Sequence, residues 1–197
     1  MTRSQIATRV PCLPRHIGAA SLGVLLALAP LAALAQDSGD APPPAGDAST
    51  APRSVTARLA GTEGQPLGTA TLAETASGQM HLTLTLDGLP EGTRAIHIHE
   101  TGSCEPPAFE SAGGHLAGGH DHGAMSSGGM HAGDLPNITV GADGIFQGEV
   151  LTSNVTMDQV MDEDGSALVI HADADDYISQ PAGNAGDRIA CGVFADQ

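Results

Sequence analysis

Seven of the nine histidines fall in three short stretches whose composition suits a metal ion. In "RAIHIHETGSC", residues 94–104, His97 and His99 stand one residue apart in a run that otherwise reads as a strand. Side chains alternate faces in an extended chain, so both rings project to one side with Ile98 opposite. Two imidazoles on one face can hold one ion; the same pair also suits the solvated face of an ordinary strand. Residues 113–134, "GGHLAGGHDHGAMSSGGMHAGD", add His115, His120, His122 and His131 with Asp121 and Asp134. That stretch is too long and polar for a plain turn and reads as a functional loop, although His-rich tracts also occur as disordered metal scavengers. His171 ends the strand-like "SALVIH" and faces the acids Asp173, Asp175 and Asp176. Outside these stretches, His81 in "QMHLTLTL" reads as an outward-facing strand residue. Met125 and Met130 are soft donors that could take Cu(I), with packing or exposure as the plainer reading.

The elements that must carry these residues are short and β-like. "SVTARLA", "LGTATLAET", "QMHLTLTLDGL" and "RAIHIHE" alternate apolar with polar or small residues between Gly-rich breaks. The pattern resumes in "NITVGADGIFQGEV", where "ADG" suggests a hairpin turn, and in "SALVIHAD" and "RIACGVF". No long amphipathic helix competes, though "TMDQVMDED" allows a short turn. About eight antiparallel strands of this kind predict an all-β sandwich or Greek-key barrel. With no Trp, one Tyr and three Phe, the core must come from small aliphatic side chains.

The chain begins with a basic leader carrying Arg3, Arg9 and Arg15, an apolar run broken at Pro30, and "ALA" at 33–35, which predicts a signal peptide over 1–35 cleaved before Gln36. The apolar run is short for a membrane span, so no membrane span is expected after cleavage. Cys12 lies before the apolar stretch and leaves with the leader. Residues 36–53 have the Pro, Ala, Asp, Ser and Gly composition of a solvated linker, and 54–197 is long enough for one domain with one core. Beyond the leader the chain keeps four Arg, no Lys and 23 acids, a formal charge of −19, which excludes tracking of nucleic acid or an anionic membrane. Cys104 and Cys191 remain as an even pair in an oxidising compartment, periplasmic or otherwise secreted, which most simply means one disulfide.

From about residue 55 to the end the chain resembles the copper/zinc superoxide dismutases of the bacterial envelope type. The matching stretches are "HIHETGSC", "AGGH", "HAGDLPNI", "GSALVIHADADDY" and "GNAGDRIACGVF", in the family's order and spacing. The resemblance implies a Greek-key β-barrel with two long loops around the metals, one copper and one zinc per subunit, and superoxide as the small-molecule substrate. It implies His97, His99, His115 and His171 as copper ligands, His115 bridging to zinc, and His131 and Asp134 as further zinc ligands. The last zinc histidine is expected at His122, followed by glycine and nine residues before His131. The interval from His115 is one residue shorter than the commonest pattern, so His120 stays a candidate.

Imidazole suits a copper ion that shuttles between two oxidation states, and a closed site of three His and one Asp suits redox-inert zinc. By resemblance, Asp175 orients one ligand of each metal, expected to be His99 and His122. Arg188, in "GNAGDRIACG", supplies a fixed positive charge beside copper, held close by the disulfide, and His115 delivers a proton to the second superoxide. The guiding lysines common around such sites are missing and Asp187 precedes the arginine, so strong steering is not expected. Two other readings stay open: a copper-binding or copper-storage protein with a dismutase-like fold, and an envelope structural protein with vestigial metal residues. Envelope members of this family include both monomers and homodimers.

Overall fold

Alternation of buried and exposed residues builds the sheet from its first strand. In β1 (Ser54–Gly61) Val55, Ala57 and Leu59 turn inward, and in β3 (Met80–Leu86) Met80, Leu82, Leu84 and Leu86 do the same while Thr83 and Thr85 face water. Between them, β2 (Pro66–Glu74) pairs antiparallel with both, its register against β1 shifting between Leu59 and Ala60. The computed structural model describes residues 52–196, so the expected leader and all but the last two residues of the expected linker lie outside the described residues. The remaining strands are β4 (Gly92–Arg94), β5 (Ile96–His99), β6 (Ile138–Val140), β7 (Phe146–Thr152), β8 (Ala167–His171) and β9 (Arg188–Asp196). Seven of the nine form one antiparallel sheet in the order β5-β8-β9-β1-β2-β3-β7, and β4 pairs with β6. This is the expected all-β Greek-key barrel with two long loops.

The hairpin expected at "ADG" is corrected. The turn is present, with the Gly144 N–H donating to the Gly141 carbonyl. The strands it joins separate, however: β6 pairs with β4, whereas β7 pairs with β3. Ile138 and Val140 are both buried, so the three-residue β6 satisfies its core face against β4 and the turn moves the chain to the other sheet. The segment expected as a short turn is α1 (Met157–Val160), which begins with a capping box in which Thr156 and Gln159 each accept from the other's backbone N–H.

Two strands are buried on both faces, and they position the site. All four residues of β5 and all five of β8 are buried. Their pairing sets Ile96 opposite Ile170 and Ile98 opposite Leu168, which join the main core. The other face therefore carries His97 and His99 beside Val169, Ala167 and His171, and something other than water must cover it. The outer edge of β5 is closed by the loop after β5 rather than by a full strand: the Ile98 N–H donates to the Gly133 carbonyl, and the Leu116 N–H donates to the Ile98 carbonyl. That closure places Asp134 across from His97 and His115 across from His99.

Cys104 and Cys191 form the expected disulfide, tying the loop after β5 to β9. Beneath it Phe109, Ala112, Ala167 and Val169 make a second small cluster. The disulfide closes a span of 87 residues. On the loop-entropy model its removal should lower stability by about 4–5 kcal/mol. A Cys191→Ser variant, and wild type unfolded with reductant, should both show that loss in urea denaturation; an unchanged midpoint would contradict it.

Candidate metal centre

Each ring in the centre has one nitrogen occupied by the protein. His99 donates its Nδ1–H to the Gly113 carbonyl at 3.0 Å, His171 donates Nδ1–H to the Gly186 carbonyl at 3.3 Å, and His97 donates Nε2–H to Asp175 Oδ2 at 3.0 Å. Those bonds fix the tautomers and leave His97 Nδ1, His99 Nε2 and His171 Nε2 as lone-pair donors. With His115 Nε2, these are four of the buried side-chain atoms without a hydrogen-bond partner. The four residues offer ligand atoms that all lie within 4.8 Å of one another. Four orphaned nitrogens around one point fit an imidazole-bound ion, because otherwise each would be a buried polar group left unsatisfied.

A second set shares His115. Its Nδ1 lies 3.0 Å from Asp134 Oδ1 and 3.4 Å from His131 Nδ1, while His122 Nδ1 is 3.1 Å from Asp134. Bonds of about 2.0–2.1 Å in a tetrahedral zinc site put neighbouring donor atoms about 3.3 Å apart. The spacing of three imidazole nitrogens and one carboxylate oxygen matches that, and His115 presents one ring nitrogen to each set. The Asp134 carboxylate is anchored by its other oxygen, which accepts the Gly123 and His131 N–H groups at 2.9 and 3.0 Å. Burial alone would raise its pKa, but the bonds from His115 and Gly123 and the nearby imidazoles hold it well below the usual carboxylate range.

Asp175 spans both sets, but not as expected. Its Oδ1 meets His122 Nε2 and its Oδ2 meets His97 Nε2, both at 3.0 Å, whereas His99 is held by Gly113. The correction follows from position on β5. His97 stands at the end facing Asp134, and His99 at the end facing His115 and residue 113. Asn137 holds the Asp175 backbone at both ends, accepting its N–H and donating to its carbonyl, each at 2.9 Å. Gly183 is required beneath it: at φ 63°, any Cβ there would overlap the Asp175 carboxylate and the His122 ring.

Arg188 lies across from His171 because the β8–β9 register shifts between Ile170 and His171. Its guanidinium donates to the Phe109 carbonyl at 2.6 Å and to the Gly113 carbonyl at 2.7 Å, so Gly113 serves both Arg188 and His99. Thus the structure brings together His97, His99, His115, His171, His122, His131 and Asp134, with Asp175 and Arg188 against them. His120 and Asp121 are exposed and outside both sets, as are Met125 and the half-buried Met130. His81, on β3, pairs with Glu149. Asn137, Gly113 and Gly183 were not singled out from sequence, although each lies within or beside a quoted motif.

Fold and site together define a Greek-key barrel with two adjoining metal-binding sets that share an imidazole. Residues 67–194 match the family model of copper/zinc superoxide dismutase (SODC). The chain is 48% identical over 145 residues to superoxide dismutase [Cu-Zn] 2 of Aquifex aeolicus, covering 70% of this chain and 84% of that protein. Against superoxide dismutase [Cu-Zn] of Caulobacter vibrioides it is 39% identical over 149 residues, covering 72% and 85%. The crystal structure of a superoxide dismutase-like protein from Bacillus subtilis superposes with a TM-score of 0.66 at 38% identity, covering 71% of this chain and 97% of that one. The chain belongs to the copper/zinc superoxide dismutase family. It is an oxidoreductase that uses copper and zinc to convert two superoxide ions and two protons to oxygen and hydrogen peroxide.

Burial favours the uncharged rings of His97, His99, His131 and His171. It pushes the His97 pKa down to about 4, His99 to about 2 and His171 to about 3, and lowers that of His131. An unfolded histidine titrates near 6.5, so below that pH the unfolded chain binds protons the folded one refuses. The resulting stability is fully present above about pH 6.5 and lost as pH falls through the folded values, the His97 share by about 4 and the His171 and His99 shares by about 3 and 2; the lowered carboxyls Asp134 and Asp175 add their loss only below about 4. The metal-free protein in chelator should therefore unfold at lower urea at pH 5 than at pH 7.5; a flat profile across that range would contradict it.

Proposed function

We propose that His97, His99, His115 and His171 hold copper and that His115, His122, His131 and Asp134 hold zinc. The observation that carries this is the convergence of four buried, unpartnered ring nitrogens on one point. When bound, copper supplies the one-electron carrier for both half-reactions and zinc supplies a fixed charge. The chain's own residues orient and neutralise. Gly113, Gly186 and Asp175 fix which nitrogen of each ring is free. His115 Nε2 is the position from which a proton can be handed to reduced substrate, and Arg188, steadied by two carbonyls, offers the anion a fixed cation and hydrogen-bond donors. All of these residues come from one chain, so the reaction does not require a second copy.

The disulfide and the bacterial relatives support export, and the leader over 1–35 with a linker over 36–53 is the route we propose, with the periplasm as destination. Metal analysis of the purified protein should give one copper and one zinc, with rapid superoxide decay that chelation abolishes. His122→Ala should lose about one zinc equivalent and His120→Ala should retain both metals; the reverse outcome would reassign the ligand. Copper bound without turnover would favour storage.

Arg188 shares its surface hollow with Glu110 and Asp187. Arg53 is paired with Glu74 and Asp158, and Arg94 is directed at the Pro90, Glu91 and Ala172 carbonyls. Substrate and protein are both anionic, so salt should screen a repulsion. The second-order rate constant should rise with ionic strength, and Glu110→Gln should raise the low-salt rate by roughly two-fold. Pulse radiolysis across a salt series checks both, and a rate that falls with salt would contradict them.

A further inference from the structure

We propose that Glu100 is a positioning residue for the same reaction, its carboxylate holding the turn that aims Arg188 and the copper ligand His99; this rests on the roles proposed for those two. Arg188 straddles a single turn of 3-10 helix, Glu110–Ala112. Its two guanidinium bonds go to the carbonyls of the residues flanking that turn, Phe109 before it and Gly113 after it, at 2.6 and 2.7 Å. Both flanking residues have positive φ, 54° and 73°, which is uncommon for a phenylalanine. Backbone of that kind persists only where its surroundings fix it, so each end of the turn needs an anchor. At the Phe109 end the anchor is packing, since its ring is buried in one cluster with Ala112, Ala167, Val169 and Cys191. Gly113 has no side chain to bury.

Glu100 anchors that second end. Its Oε1 accepts the Gly114 N–H at 2.9 Å while its own N–H donates to the Gly114 carbonyl at 3.0 Å, so one residue is gripped at both its polar groups. Next in chain, Thr101 donates its N–H to the Ala112 carbonyl at 3.1 Å. The Glu100 side chain also lies over Gly113, so closely that a Cβ there would come within 2.9 Å of its Cγ and Oε1. The direction of the Gly113 carbonyl thus depends on this carboxylate, and that oxygen takes the His99 Nδ1–H at 3.0 Å as well as Arg188. His99 directly precedes Glu100 and His115 directly follows Gly114, so the same grip sets the spacing of two copper ligands that stand across from each other.

The side chain has two effects of opposite sign on an incoming anion. Its negative charge repels the anion, whereas its hydrogen bond keeps Arg188 aimed at it. Replacement by glutamine keeps an acceptor oxygen at the same reach and removes the charge; replacement by alanine removes both.

The test uses the copper- and zinc-loaded protein with azide as the anion, its binding to Cu(II) read from the charge-transfer absorption. Glu100→Ala should weaken azide binding roughly three- to ten-fold, the worth of one hydrogen bond, and Glu100→Gln should bind it at least as tightly as wild type. Were repulsion the whole effect, both variants would bind azide more tightly. In the reduced protein, where Cu(I) is diamagnetic, NMR should show the Gly114 N–H and the His99 Nδ1–H exchanging with solvent about ten-fold faster in Glu100→Ala and at the wild-type rate in Glu100→Gln. Arg188→Gln should weaken azide binding by itself, and adding Glu100→Ala to it should cost little more, because the two act through one contact. The proposal is overturned if Arg188→Gln weakens azide binding and Glu100→Ala does not, or if the Gly114 N–H exchanges at the wild-type rate in Glu100→Ala. Wild-type azide affinity in Arg188→Gln would instead overturn the role given to Arg188, and the role of Glu100 with it.

Discussion

Everything in the centre depends on one constraint: an imidazole taken out of water must have both nitrogens satisfied. β5 and β8 remove His97, His99 and His171 from solvent, and two backbone carbonyls and the Asp175 carboxylate supply only half of what the rings need. A carbonyl or carboxylate takes the N–H, and the remaining lone pairs are left pointing at each other. Such an arrangement is unfavourable in an apolar interior until a cation accepts those lone pairs, so folding and metal uptake draw on the same free energy. The barrel tolerates this because its other face is an ordinary aliphatic core of Leu, Ile and Val.

The legible part of the fold was whatever period-2 patterning controls. β1 and β3 alternate plainly, and the one-residue separation of His97 and His99 places both on one face whatever the strand's neighbours. Strand order was not legible, since nothing local says that β5 must lie beside β8 about seventy residues later. The "ADG" segment misled for the same reason. Its turn chemistry was readable, but a tight turn does not dictate that the strands on either side pair with each other.

In the site, the residues that meet were named by motif, while the partner of each ring was not. The resemblance implies His99 as the copper-side partner of Asp175, and sequence order carries no information about which end of β5 faces the loop at 173–186 that could have corrected it to His97. Gly113 went unnoticed because its contribution is a carbonyl oxygen that every residue type possesses. Gly183 acts through the side chain it lacks, and Asn137 through a pair of backbone bonds 38 residues away. Shape and backbone direction, rather than chemical type, select these three.

One feature reaches further than its own contacts. The Asp175 carboxylate grips a ring of each set with a different oxygen, and His115 belongs to both, so neither half can be ordered in isolation. Whichever ion arrives first immobilises the bridge and the carboxylate, and the second then finds its ligands already aligned, with less entropy left to surrender. The two metal sites should consequently fill as a cooperative pair, with loss of either ion weakening retention of the other.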